Sequence, residues 1–386
     1  MAEKKKRAIT LAGGGPAAGL HIGALLELED AKIDFDVWAL SCIGAWVGIV
    51  YNTREGPNPA RQTYDFFKKN VFRDDASYEW FPVNRAFSPE FATFWKAWAT
   101  FPFDRGVKYM TLVQPREIVA AGVRSLAYFS DPWRWFNLSE FNYWLLNDVL
   151  AVHPMSRYFT SLMYLSHING LSRIYYPDSR FLAQIPIEKL KDKKAEIYHN
   201  AWRLRDEGRG EMQIFHNRPE QYENRQYMRI SDRSLCACSA LPYVEETVRI
   251  KNEQDDQEFE YCEGALVDTV NFKDLLHDHG ELDEIWVSRI VDVSQVKAPR
   301  TLADGLANLA MLFAAEVGEN DIKLFRQHRK SQISPKPRLV EIAIEPNTKV
   351  NFEWSHSNLE TGVAEGRKAV KRLLAGDKTL ASSTRS

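Results

Sequence analysis

The run Asp36-Val37-Trp38-Ala39-Leu40-Ser41-Cys42-Ile43-Gly44-Ala45-Trp46-Val47-Gly48 sets a short apolar segment, a cysteine and a small-residue segment in immediate succession. An apolar run that short reads as a buried strand, and the small residues after it read as a closely packed helix. Cys42 then falls on the corner where a strand hands over to a helix N-terminus. The unpaired N–H groups and positive dipole end at such a corner stabilise a thiolate and any oxyanion formed beside it, which makes Cys42 a candidate nucleophile. A second corner precedes it: Ala8 to Ala12 reads as a buried strand, Gly13-Gly14-Gly15 as a loop, and Leu20 to Ala31 as an amphipathic helix. Three successive glycines let backbone N–H groups converge on a negatively charged atom with no Cβ in the way. The loop lacks the Gly-Lys-Ser/Thr ending of a nucleotide-binding P-loop, and the second strand lacks the terminal acidic residue of a dinucleotide-binding fold. Together the two corners point to acyl transfer, one supplying a nucleophile and the other an oxyanion site.

Composition narrows the function classes. A chain of 386 residues, 45% hydrophobic and 26% charged, buries a large core as one domain or one domain with a sizeable insertion. Its 50 Lys+Arg against 52 Asp+Glu offer nucleic acid no net attraction, and no Cys/His cluster has finger spacing, so no nucleic-acid partner is expected. The Lys4-Lys5-Lys6-Arg7 run is soon followed by Gly13-Gly14-Gly15-Pro16 and reads as a solvated lead-in to the first strand. No apolar run reaches the roughly 18–20 residues that cross a bilayer, so membrane contact, if made, is peripheral. Cys42, Cys236, Cys238 and Cys262 lack the look of a disulfide framework, which favours a reducing, cytoplasmic setting.

Residues 52–190 are the least regular part and hold most of the Trp and Phe. Phe91, Phe94, Trp95 and Trp98 recur at i, i+3, i+4 and i+7, an aromatic stripe on one helix, and Trp133 and Trp135 continue the theme. Core packing is the more common use of such a stripe. The alternatives are a cap whose inner wall forms a pocket for an apolar acyl chain, or an outer face resting on a membrane or partner. Regular patterning returns near residue 194. Strands are expected over Ala195–Leu204 and Met212–Phe215, a short helix over Asp232–Cys238, and a hairpin from Val248–Ile250 and Glu258–Tyr261. A strand over Glu284–Asp292, a long helix over Thr301–Gln327 and a strand over Leu339–Glu345 follow. A basic amphipathic helix from Asn358 to Leu374 carries Arg367, Lys368, Lys371 and Arg372, and residues 376–386 form a disordered tail.

The order of these motifs resembles the patatin-like phospholipase family over the first fifty or so residues and from about residue 195 onward. The family's glycine-rich oxyanion loop and His-Ile-Gly helix start look like Gly13-Gly14-Gly15 and His21-Ile22-Gly23. Its Gly-x-Ser-x-Gly is matched in place by Leu40-Ser41-Cys42-Ile43-Gly44. Its Ala-Ser-x-Ala-Ile-Pro reads Ala237-Cys238-Ser239-Ala240-Leu241-Pro242, and its Asp-Gly-Gly/Ala-x-x-Asp-Asn reads Glu263-Gly264-Ala265-Leu266-Val267-Asp268-Thr269. The resemblance implies a three-layer α/β fold, with a mainly parallel sheet flanked by helices, into which the aromatic-rich helical segment is inserted. Residues 1–51 and 191–375 would form its core. It implies a nucleophile–acid dyad of Cys42 and Glu263 with oxyanion donors from Gly13, Gly14 and Gly15, and no metal, nucleotide or organic cofactor. His21 then holds the helix start, and Asp268 is the structural second acid.

Cys for Ser keeps an acyl-enzyme route open and makes the intermediate a thioester, a good donor to amines and thiols as well as water. Glu for Asp moves the carboxylate out by one methylene, and Leu40 in place of the first elbow glycine points to a less strained turn. The expected function is acyl processing through acyl-Cys42, from an ester or thioester of an apolar acyl chain, free or carrier-bound, to water or to an amine, hydroxyl or thiol. The alternative is a catalytically silent scaffold that binds lipid, an acyl chain or a partner protein.

Overall fold

A computed structural model describes residues 5–86, 88–89, 91–104, 113–165, 169–174, 181–205, 207–222, 224–252, 256–296, 298–330, 337–345, 348–377 and 380. They group into two compact units, one built from the residues up to Ser88 together with those from Ser172 onward, the other from Pro89–Leu171.

The first unit is organised on a nine-stranded sheet. Its strands are β1 (Arg7–Leu11), β2 (Val37–Leu40), β3 (Glu196–Arg203), β4 (Glu211–His216), β5 (Met228–Arg229), β6 (Val248–Lys251), β7 (Glu258–Glu263), β8 (Glu284–Ser288) and β9 (Arg338–Ile342). The order is β9-β8-β1-β2-β3-β7-β6, with β4 on β3 and β5 on β4. From β9 to β3 every pairing is parallel, and β1, β2 and β8 are buried along their whole length. Their continuous apolar sequences follow from that, because a parallel strand is covered on both faces. This is the mainly parallel, helix-flanked α/β fold expected.

One feature of the register places the site. The first half of β3 pairs with β2, Leu40 opposite His199, and its second half pairs antiparallel with β7, Glu263 opposite Ala201. The carboxyl ends of β2 and β7 therefore run toward each other along β3 and meet at Asn200. Strands far apart in sequence thus bring residues 42 and 263 to one point.

Helix α1 (Ala18–Asp30) is buried through its first eight residues, so it is a covered helix and not the amphipathic one its sequence suggests. The cover is α6 (His356–Gly376). A methyl group on Gly23 would overlap the Val363 carbonyl oxygen, and one on Gly366 the Leu20 carbonyl oxygen, so the two helices cross with their backbones in contact. The basic residues of α6 bind acidic neighbours in the fold. Arg367 pairs with Glu27 at 3.1 Å and also with Asp30, Lys371 lies 3.7 Å from Glu27, and Arg372 pairs with Glu345. Helices α2 (Ile43–Thr53), α3 (Pro59–Asn70), α4 (Asp232–Ala237) and α5 (Leu302–Lys330) complete the first unit's long or site-bearing helices. Of the expected tail only residues 376, 377 and 380 lie within the described residues.

The second unit is helical, with segments Phe91–Thr100, Pro115–Phe129, Pro132–Trp135, Leu138–Trp144 and Pro154–Leu165. Core packing of its aromatic stripe is overturned. Phe91, Phe94, Trp95, Trp98, Trp133 and Trp135 are all exposed, from 42% at Trp98 to 84% at Trp133. The rings pack edge to face on one another, Trp95 on Trp98 at 5.4 Å, and not into an interior. Short helices that bury Phe101, Ala121, Tyr128 and Leu162 have too little interior for so many rings.

Candidate active site

Cys42 is the second of the two residues between β2 and α2 and the N-cap of that helix; its carbonyl accepts from the Ala45 N–H at 2.9 Å. Its backbone sits at φ 48°, ψ −124°, where a side chain is strained. The expectation that Leu40 relaxes the turn is therefore corrected. The turn stays sharp because Leu40 finds room elsewhere: its methyls lie 2.6 Å from where a Cβ on Gly48 would be, so the missing side chain of Gly48 houses it. Ser41 supports the corner from beneath. Its hydroxyl donates to Asn200 Oδ1 at 2.8 Å, while Asn200 Nδ2 donates to the Asp268 carbonyl at 2.8 Å. Asn200 thus ties the nucleophile's strand to the loop after β7, a role no motif announces.

Glu263 is the last residue of β7, 8% exposed, and its carboxyl acts electrostatically on the Cys42 thiol. Burial pushes that carboxyl up to about 7, and the thiol draws it partly back. Cys42 moves the other way from the thiolate expected of a helix N-terminus: its thiol is held well above the usual range, first by burial, then by the Glu263 charge. The Ile43 N–H, which points at the sulfur, lowers it, but by less. Desolvation and a neighbouring carboxylate outweigh the helix dipole, so Cys42 rests as a thiol. The arrangement can pass a proton from sulfur to carboxylate as the sulfur attacks.

The expected oxyanion donors belong to the glycine loop. A Cβ built on Gly13 would stand 3.3 Å from the Cys42 Cβ and 3.1 Å from Ala265, so the glycine loop runs directly over the nucleophile. Gly14, at φ 155° with Ile290 and Val291 against it, and Gly15, at φ 50°, turn the chain into the short helical turn ahead of α1. Among the described residues no acceptor is recorded for the Gly13 and Gly14 N–H groups. Ile43, absent from the motif reading, is the further donor; its signal is its position, since the residue after an elbow nucleophile presents its N–H to the same space.

The remaining candidates sort by contact. His21 is fully buried. Its Nε2–H donates to the Ala12 carbonyl at 2.9 Å and its Nδ1 accepts from the Ser288 hydroxyl at 2.8 Å, so it pins β1 to β8 below the glycine loop; burial lowers its pKa to about 4. Asp268 accepts from the Asn271 N–H at 2.6 Å and shapes the loop after the acid. All four cysteines are free and buried. Cys238, not Cys262, reaches the nucleophile: its thiol lies 3.7 Å from the Cys42 carbonyl. The six aromatic residues belong to the Pro89–Leu171 unit.

No curated protein matches the chain significantly. Among solved structures, the chain is similar to VipD from Legionella pneumophila, at 10% identity and a TM-score of 0.33, over 97% of this chain and 67% of that one. A family model described as patatin-like phospholipase matches residues 9–276, a span that holds both corners, Cys42 and Glu263. The chain belongs to the patatin-like phospholipase family.

Proposed function

We propose that the protein processes acyl groups through an acyl-Cys42 intermediate, with Glu263 as the base. The observation that carries the reading is the convergence of β2 and β7 on Asn200, which brings buried Cys42, at the start of α2, and buried Glu263 to one point. Members of the family are usually lipid acyl hydrolases, and acid and nucleophile stand here in the family's order. As the sulfur attacks the acyl carbonyl carbon, the thiol proton moves to the Glu263 carboxylate and the carbonyl electrons move to oxygen. The Ile43 N–H and the loop N–H groups of Gly13, Gly14 and Gly15 are the donors for that oxyanion. Collapse expels the alcohol or thiol, which takes the proton from Glu263, and leaves a thioester on Cys42. An acceptor, water or an amine, hydroxyl or thiol, then gives a proton to Glu263, attacks the thioester and releases the sulfur, which is reprotonated.

The substrate we propose is an ester or thioester of an apolar acyl chain, whether lipid or carrier-bound. The exposed aromatic surface of residues 89–171 supports an apolar partner, and we extend it to peripheral contact with a lipid surface. Hydrolysis of p-nitrophenyl esters of increasing chain length tests the reading. The rate should rise with chain length and fall by about 10²–10⁴-fold in Glu263→Gln, and Cys42→Ala should abolish it. Turnover unaffected by both substitutions would overturn the roles given to Cys42 and Glu263, and no turnover by the wild type at any chain length would favour the silent scaffold.

A further inference from the structure

The elements that form the catalytic corner enclose a cavity at their other end. β2 and α2 meet at Cys42, and α1 starts beside the glycine loop. Where α1 and α2 end and β2 begins lies a cavity of about 150 Å³. A cavity of that size holds a group as large as benzene. Phe35, Trp38 and Tyr51 line it with rings, and Glu29, Asp34 and Asn52 line it with polar groups. Trp38 stacks on Tyr51 with centroids 5.1 Å apart, and Phe35 meets Trp38 edge to face at 5.9 Å, so the rings hold one another in a fixed apolar wall. Cys42 and Tyr51 stand nine residues apart along α2, roughly 13 Å at 1.5 Å per residue, so the cavity is separate from the Cys42 site.

The charges on this cavity are of one sign. Among the described residues no Lys, Arg or His lines it, and neither Glu29 nor Asp34 has an ion-pair partner. Glu29 accepts from the Ala60 N–H of α3 at 3.0 Å through one oxygen, which fixes the carboxylate and leaves its other oxygen to a ligand. Asp34 stands exposed at the rim. Asn52 gives its Nδ2 to the Gly48 carbonyl at 2.8 Å, so its Oδ1 is the end left to accept. Burial, and after it the Glu29 and Asp34 charges, hold the Tyr51 hydroxyl above its usual range, which accords with both carboxylates acting on that ring. Helices α1 and α2 both end here, and the carbonyl ends of two helices add negative potential. Such walls repel an anion and attract a cation, and the rings add a surface for its hydrocarbon part.

We infer that this cavity is a binding site for a small organic cation, a primary ammonium on a short alkyl chain, with the ammonium at Glu29 and Asp34 and the chain against Phe35, Trp38 and Tyr51. A primary ammonium brings three N–H donors to walls rich in acceptors, whereas a quaternary ammonium brings none. The site does not depend on acyl chemistry at Cys42. Titration calorimetry of the full chain at neutral pH, with n-butylammonium, its neutral counterpart n-butanol and tetramethylammonium as probes, tests it. n-Butylammonium should bind about tenfold or more tightly than either of the others, because only it makes charge-assisted hydrogen bonds. Glu29→Gln, which keeps an oxygen for the Ala60 N–H, should weaken that binding about tenfold. Asp34→Asn, at an exposed position, should weaken it about threefold and leave the fold unchanged by circular dichroism. Glu263→Gln should bind n-butylammonium as wild type does, whatever becomes of its ester hydrolysis, so failure of this site and failure of the acyl-Cys42 reading are told apart. n-Butanol binding as tightly as n-butylammonium would overturn the inference by showing a merely apolar hole. Tighter binding of tetramethylammonium, n-butylammonium binding untouched by both Glu29→Gln and Asp34→Asn, or no saturable heat from n-butylammonium would overturn it equally.

Discussion

Cys42 and Glu263 are both buried, and the two groups titrate above their usual ranges. A thiol so placed is not a free thiolate waiting for an electrophile; in the proposed mechanism its reactivity depends on an ionised Glu263 taking the proton. The rate of acyl-ester hydrolysis should therefore fall about tenfold per unit as pH drops below about 7, the value to which burial pushes Glu263. Because that folded-state value lies above the 4.5 of an ordinary glutamate, Glu263 costs stability as pH rises through the window between them. Glu263→Gln should accordingly be more stable than wild type at pH 8, by up to about 3 kcal/mol, with the difference vanishing near pH 4. Denaturant midpoints at the two pH values check this. At this scale motif order made Cys42, Glu263 and the glycines legible, because each sits at a turn that a short pattern marks. Asn200 was not legible as a site residue: a lone Asn in a strand carries no local signal of what folds against it.

Among the elements, the meeting of β2 and β7 along β3 does most to build the site, and nothing in three strand-like runs states which edge they share. Asn200 sits where they converge, with its amide bonded to both sides. The crossing of α1 and α6 was legible only as two helices. Its cause lies in Gly19 and Gly23 of one and Gly362 and Gly366 of the other, spaced four apart so that one face of each helix lacks side chains. Gly366→Ala, which sets a methyl against the Leu20 carbonyl oxygen, should cost about 1–3 kcal/mol in urea denaturation. The same substitution at Gly376, where nothing lies near, should leave the midpoint unchanged or slightly raised.

For the whole molecule, the mainly parallel sheet and its covering helices follow from apolar runs alternating with helical patterns, as read from the sequence. The second unit departs from that reading because periodicity marks a face as apolar without saying what covers it. Large exposed side chains are concentrated in residues 89–171, Phe136 and Phe103 most of all, and no helix among the described residues is long and apolar enough to cross a membrane. The protein should therefore bind phosphatidylcholine vesicles peripherally, with a blue shift of Trp fluorescence that persists in about 0.5 M salt, because apolar burial is not screened. The most direct test of the account is the intact mass of the protein after brief exposure to a p-nitrophenyl acyl ester at pH 8. The account predicts a single added acyl group, mapped to Cys42, cleaved by hydroxylamine and absent from Cys42→Ala. No adduct in Glu263→Gln would tie its formation to the carboxylate. An unmodified wild-type protein that still releases p-nitrophenol, or acylation spread over other residues, would contradict it.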